Sequence, residues 1–116
     1  MKAINRSKGL ALADNVSPAT TFFTRLRGLM FRSSLAEGSG LYIAPCNSVH
    51  SCFMRFPFDV LFLDSNRRVT GMIEGMQPWK FSKLYRSACE ALELPDGTLA
   101  KTGTALGDQI HLGADK

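Results

Sequence analysis

Apolar residues along this chain come in short runs punctuated by Gly, Pro, Ser, Asn and Asp, the spacing of strands and turns rather than of long helices. The densest stretch is VHSCFMRFPFDVLFLD at residues 49–64. Residues 49–55 alternate and read as one strand. Residues 58–63, apolar on both faces apart from Asp59, read as a second strand buried on both sides. Pro57 has no N–H to give to a ladder, so it belongs at the break between them.

The same reading places short strands at residues 2–4 and 10–13 around a Ser7-Lys8-Gly9 turn. Ser17 and Pro18 form a helix-start signal, a side-chain cap followed by proline at the first helical position. Phe22, Leu26 and Leu29, with Phe23 and Met30, then make an apolar stripe at helical spacing. A helix is therefore expected from residue 17 to about 32, packed on a sheet. Gly28 inside it implies that the helix ends nearby or that its backbone approaches something closely. Residues 41–44 read as a strand stopped by Pro45, and residues 67–76 as a hairpin partner for 58–64, with Gly71 and Gly75 at bulges. Residues 77–86 lack a period and read as an irregular loop whose Trp79, Phe81 and Tyr85 would cover one end of a barrel. Residues 88–94 alternate as a strand without showing which face is buried. A short helix at 98–102 and a last strand at 109–112 complete the chain, with Asp108 as a turn residue that caps backbone N–H groups. The sum is a mainly β (α+β) fold: a small β-barrel or jelly-roll-like curled sheet with one principal amphipathic helix.

At 116 residues the chain is expected to form a single domain with a core that needs no metal or disulfide staple. No apolar run approaches the roughly eighteen residues that would span a bilayer, so no membrane partner is expected. The first fifteen residues carry too short an apolar patch for a signal-peptide core, which places the expectation in the cytoplasm. Cys46, Cys52 and Cys89 are an odd set without a C-x-x-C pair, which argues for reduced thiols rather than a disulfide framework or zinc ribbon. The net charge of +4 is concentrated before residue 37, where six Lys/Arg face one Asp. A balance this modest would attract anionic partners only weakly, and nucleic acid calls for a denser basic patch with interleaved exposed aromatics, so nucleic-acid binding is not expected.

RLRGLMFR at residues 25–32, FMRFPFDVLFLD at 53–64, ACEALELPDG at 88–97 and LGDQI at 106–110 follow one another in the order and spacing of a known family. Over nearly its whole length the chain resembles the domain of unknown function 192 family. That resemblance implies a compact, mainly β, barrel-like or jelly-roll-like domain with one principal helix, and no established activity. Arg25, Arg27, Gly28, Met54, Arg55, Pro57 and Asp59 fall on the positions that give the family its recognisable look.

Three groups in the central stretch are ones a core would not choose: His50, Arg55 and Asp59. A turn at Pro57 would let Arg55 and Asp59 meet as a bidentate pair, either bracing a corner or presenting an Arg to a carboxylate or phosphate. With Arg25 and Arg27 these residues form the candidate ligand site. The leading expectation is a non-catalytic binding module for a small anionic ligand or a peptide, without a cofactor. Its rival is a metal protein or enzyme built on His50, Cys52 and Met54, which share a face if residues 49–55 are a strand, with Cys46 completing a soft N/S ligand set. Against that rival, Met and free Cys are common core residues, and G-x-S-x-G, H-E-x-x-H and P-loop signatures are missing. A third expectation is an accessory protein acting through an exposed surface.

Overall fold

The computed structural model describes residues 1–113 and shows a mainly β fold with two short helices. The strands are β1 (Lys2–Asn5), β2 (Leu10–Ala13), β3 (Asn15–Ala19), β4 (Ser39–Ile43), β5 (Phe58–Leu63), β6 (Val69–Met76), β7 (Glu90–Pro95) and β8 (Ile110–Gly113). The helices are α1 (Phe22–Arg27) and α2 (Thr98–Thr102). Hydrogen bonding joins the strands into two sheets, a three-stranded one ordered β2-β1-β8 and a five-stranded one ordered β3-β4-β7-β5-β6. Among the described residues neither sheet closes on itself, so no closed barrel is formed. A bridge from Arg68 to Gln109 links the two sheets at one corner.

The large sheet is buried on both faces, which accounts for the burial of every residue of β5, apolar except for Asp59. On one face Leu61, Leu63, Leu92 and Leu94 pack against Ala3, Leu12, Ile110 and Leu112 of the small sheet and Leu99 of α2. On the other, Val60, Phe62, Ala91, Leu41 and Ile43 lie under Leu29, Val49 and Met54. The molecule thus has three layers: the small sheet with α2, the large sheet, and a cover of α1 and long loops.

β6 returns antiparallel to β5, and its register slips in two places, near Gly71 and near Gly75, where the sequence predicts bulges. The ring of Tyr85 lies over Gly71 and stacks on Phe62, with ring centroids 4.0 Å apart. Asp108 accepts the Ala105 backbone N–H at 3.0 Å, as expected of a turn cap, and also the Asn5 side-chain amide at 2.9 Å.

Three expectations are corrected. Ser17 and Pro18 do not start a helix. They belong to β3, which runs parallel to β4 at the edge of the large sheet, where a residue without an N–H is tolerated. The helix begins after Thr21, whose hydroxyl accepts the Thr24 N–H while the Thr24 hydroxyl accepts the Thr21 N–H, a reciprocal cap. It ends at Gly28, whose φ of 48° and ψ of −125° suit a residue without Cβ. Six residues replace the expected sixteen or so, and Phe23 and Leu26 of the supposed stripe stand exposed. The side chain of Phe22 is outside the described set.

The second correction is at residues 49–55. Only His50 forms a bridge, to Phe81; Cys52 and Phe53 form a turn and the rest of the stretch is irregular. The alternation there comes from a loop that dips Val49, Ser51 and Met54 into the core. Ser51 anchors it: its hydroxyl bonds the Gln77 carbonyl and accepts the Lys80 N–H at 2.8 Å. Trp79 and Phe81 are exposed rather than covering the end of a barrel.

Candidate functional site

A cavity of about 290 Å³ opens between the end of α1, residues 45–50 and the face of the large sheet. Leu29, Ile43, Val49 and Met54 give it apolar walls. Arg25, Arg27, Cys46, His50 and Glu93 supply its polar groups. Two chain features border it. The cis Ala44–Pro45 peptide begins the loop that leaves β4, and Gly28 stops α1 directly above β7. A Cβ built on Gly28 would stand 3.8 Å from Oε1 of Glu93, so the helix end sits close over that carboxyl.

Glu93 is the residue the sequence reading missed. It lies on the central strand β7, flanked in register by Leu41 of β4 and Val60 of β5, and is 3% exposed. No described residue donates a hydrogen bond to its carboxyl. Burial pushes its pKa up to about 8, against a smaller downward pull from the Arg32 guanidinium. At neutral pH the group is therefore mostly a neutral carboxylic acid, which donates as well as accepts. The available signal was a Glu on the Cys89/Ala91 face of an otherwise apolar strand, but the alternation alone did not say which face was inside.

Arg25 is the other incompletely satisfied group. Its Nη1 donates to the Pro45 carbonyl at 3.3 Å, while its Nε is buried and has no acceptor among the described residues. Arg27 lies exposed at the rim. The thiol of Cys46 donates to the Ser48 carbonyl at 3.1 Å, and burial pushes its pKa up, so it is held as a thiol rather than a thiolate ligand or nucleophile.

His50 lines the cavity but has both ring nitrogens engaged. Nδ1 accepts the Cys52 backbone N–H at 3.2 Å, which leaves the proton on Nε2, 3.3 Å from the Leu26 carbonyl. The imidazole thus ties the 49–55 loop to α1.

The remaining expected residues do not join this group. Asp59 projects from the opposite face of β5, fully buried, and accepts the backbone N–H groups of Gly75 and Leu99, each at 2.9 Å. Arg55 is exposed, lies outside the cavity and does not pair with Asp59. The loop at 49–55 also dissolves the strand face that was to unite His50, Cys52 and Met54. Met54, His50 and Cys46 reach the cavity and Cys52 does not. Among the described residues no three His, Cys, Asp or Glu side chains gather as a metal-ligand group.

Beside the cavity lies an exposed aromatic row. Phe31 meets Phe53 at 5.2 Å between ring centroids, and Phe53 meets Trp79 at 4.7 Å. All three have left-handed backbones, with φ of 66°, 63° and 64°. The Phe31 N–H donates to the Phe53 carbonyl and the Trp79 N–H to the Ser51 carbonyl, so three separate segments are braced to hold these rings outward.

The family model DUF192, described as Uncharacterized ACR, matches residues 3–112. An UPF0127 protein of Thermococcus sibiricus is 34% identical over 92% of this chain and 71% of its own length. One from Pyrococcus furiosus is 32% identical over 93% and 95%. Two crystal structures share the fold. One, a protein of unknown function from Novosphingobium aromaticivorans, has a TM-score of 0.85 at 21% identity, covering 97% of this chain and 84% of its own. The other, from Sinorhizobium meliloti and named only as a candidate transcription regulator, has a TM-score of 0.81 at 24% identity, covering 95% and 89%. At these identities the likeness is one of fold.

Proposed function

Because this chain belongs to the DUF192 family, whose matched relatives are uncharacterised, we propose from the geometry alone that it is a non-catalytic binding module for a small anionic ligand or a peptide, seated in the cavity above β7. The observation that carries this reading is the buried Nε of Arg25, a residue of the cavity wall, which lacks an acceptor among the described residues. A buried donor left unmade costs about 1–3 kcal/mol, and an anion entering the cavity would recover it. Arg27 at the rim and Arg32 nearby add favourable charge. Glu93, mostly neutral, does not oppose an anion at pH 7. The engaged nitrogens of His50 and the protonated thiol of Cys46 weigh against a metal centre or a nucleophile at the same place. Three free cysteines suit a reducing compartment such as the cytoplasm.

Isothermal titration with phosphate, hexanoate and a short peptide bearing a free C-terminus tests the proposal. Binding of at least one of them, weakened tenfold or more in Arg25→Ala, is the expected result. Silence towards all three, or an undiminished affinity in the variant, would remove the reading.

A second reading, an accessory protein acting through its surface, draws on the aromatic row of Phe31, Phe53 and Trp79. Left-handed backbone at bulky residues costs about 1–2 kcal/mol each and collects at functional places. Native mass spectrometry with and without Phe53→Ser tests whether that row mediates self-association.

A further inference from the structure

We propose that the cavity receives the carboxylate end of an otherwise apolar molecule, which pairs with the Arg25 guanidinium and shares one proton with the Glu93 carboxyl while its apolar body lies against Leu26, Met30, Val49 and Met54. This deepens the binding reading above and rests on it.

Two independent observations meet in one cavity. Glu93 is a carboxyl 97% removed from solvent on a central strand, without a hydrogen-bond donor among the described residues. Arg25 holds a buried N–H with no acceptor among the described residues. A ligand that satisfies both must accept from a guanidinium and make a hydrogen bond with a carboxyl group. A carboxylate does both when Glu93 keeps its proton. Two carboxyl groups then share one proton and one negative charge, the arrangement that lets paired carboxyls coexist at close range.

The surroundings reject the alternatives. A cationic ligand would meet Arg25, Arg27 and Arg32. A phosphate dianion would bring two charges and several acceptors to a site with apolar walls and only one buried free donor from Arg25, leaving most of its oxygens desolvated and unpaired. An apolar body is what Leu26, Met30, Val49 and Met54 leave room for. A free carboxylic acid and the C-terminus of a peptide ending in an apolar residue carry the same chemistry, and experiment separates them.

The charged and titratable groups around Glu93 are few. α1 and the turn after it contribute Arg25, Arg27 and Arg32. The 45–50 loop contributes His50 and Cys46, while Leu41 and Val60 on the flanking strands contribute none. Burial pushes the Cys46 thiol up, and it pushes Glu93 up to about 8, so the charge on Glu93 changes between pH 7 and 9.

The test is titration calorimetry with hexanoate, hexanamide and phosphate, and with a hexapeptide ending in leucine as free acid or as C-terminal amide. It is run at pH 7 and pH 9 on the wild-type chain and on Glu93→Gln, with amide chemical-shift mapping to locate binding. The expected result is that hexanoate or the free-acid peptide binds at the cavity, at least tenfold more tightly than phosphate or the amide forms. Its affinity should fall about tenfold from pH 7 to pH 9 in the wild type and stay level in Glu93→Gln, whose neutral amide still donates. Whichever of the two acids binds more tightly identifies the source. Cavity binding of phosphate as tight as that of hexanoate would overturn this inference and leave the anion-binding reading standing. A loss of affinity at pH 9 that persists in Glu93→Gln would do the same. No binding at the cavity by any probe would overturn both.

Discussion

The carboxylate of Asp59 accepts the backbone N–H of Leu99, at 2.9 Å and across 40 positions of chain. It thereby caps α2, whose own N-cap residue, Gly97, has no side chain to do so. The second oxygen takes the Gly75 N–H at the β6 bulge. One buried carboxylate therefore fixes a helix start and a bulge to the central sheet. Asp59→Ala leaves two partly or fully buried donors unmade and should cost about 2–4 kcal/mol. Asp59→Asn, which keeps one acceptor but turns N–H against N–H at the other, should cost less. Urea unfolding measures both, and anion binding in the cavity should be unchanged, because Asp59 faces the other side of the sheet.

That placement explains why Asp59 looked functional in the sequence. A charge in a strand otherwise apolar on both faces marks something special, but sequence cannot tell a distant cap from a ligand contact. Strands β1, β2, β5, β6 and helix α2 were legible because local pattern and turn residues agreed. β3 was not, because Ser17-Pro18 is as good a helix start as an edge-strand segment, and only the parallel partner β4 decides between them. At residues 49–55 the alternation was real, but loop packing around Ser51 produced it rather than a ladder.

Gly71 is where a side chain is least tolerated. A Cβ there would lie 2.3 Å from two ring carbons of Tyr85, which is itself stacked on Phe62. Gly71→Ala must displace that ring, so a loss of roughly 1–3 kcal/mol is expected. In a Tyr85→Leu background the same substitution should cost much less, since the smaller side chain can move away. Equal costs in the two backgrounds, measured as a double-mutant cycle, would show that the ring is not the obstacle.

The aromatic row tests whether ring or backbone matters more for stability. Trp79 is 59% exposed with φ of 64°, so its ring adds little buried area while its backbone stays in the left-handed region. Trp79→Ala removes the contact with Phe53, worth about 0.5–1.5 kcal/mol, and keeps the strain. Trp79→Gly removes both, with relief of about 1–2 kcal/mol set against about 0.5–1 kcal/mol of added chain entropy in the unfolded state. The glycine variant should therefore be the more stable of the two by about 0.5–1 kcal/mol. A glycine variant less stable than alanine would mean that residue 79 does not strain the fold.

Of the residues that line the cavity, Arg25, Arg27 and His50 are ones the sequence reading named as candidates, whereas Glu93 was hidden in a strand whose inner face was undetermined. Its consequence for stability has a definite sign. The folded-state pKa is about 8, raised by burial from an ordinary value of 4.5. Between those values the folded chain holds a proton that the unfolded chain has released. Stability from this group is therefore fully present below about pH 4.5 and is lost as pH rises towards 8, at up to about 1.4 kcal/mol per pH unit and roughly 5 kcal/mol in all. Glu93→Gln has no such proton to lose. Its unfolding midpoint should change less between pH 5 and 8, and at pH 8 it should exceed that of the wild type by several kcal/mol in unfolding free energy. Parallel pH profiles for the two proteins would show that Glu93 is not the group that titrates. A variant that is more stable yet has lost the pH dependence of hexanoate binding would show the fold retaining a destabilising residue for its ligand.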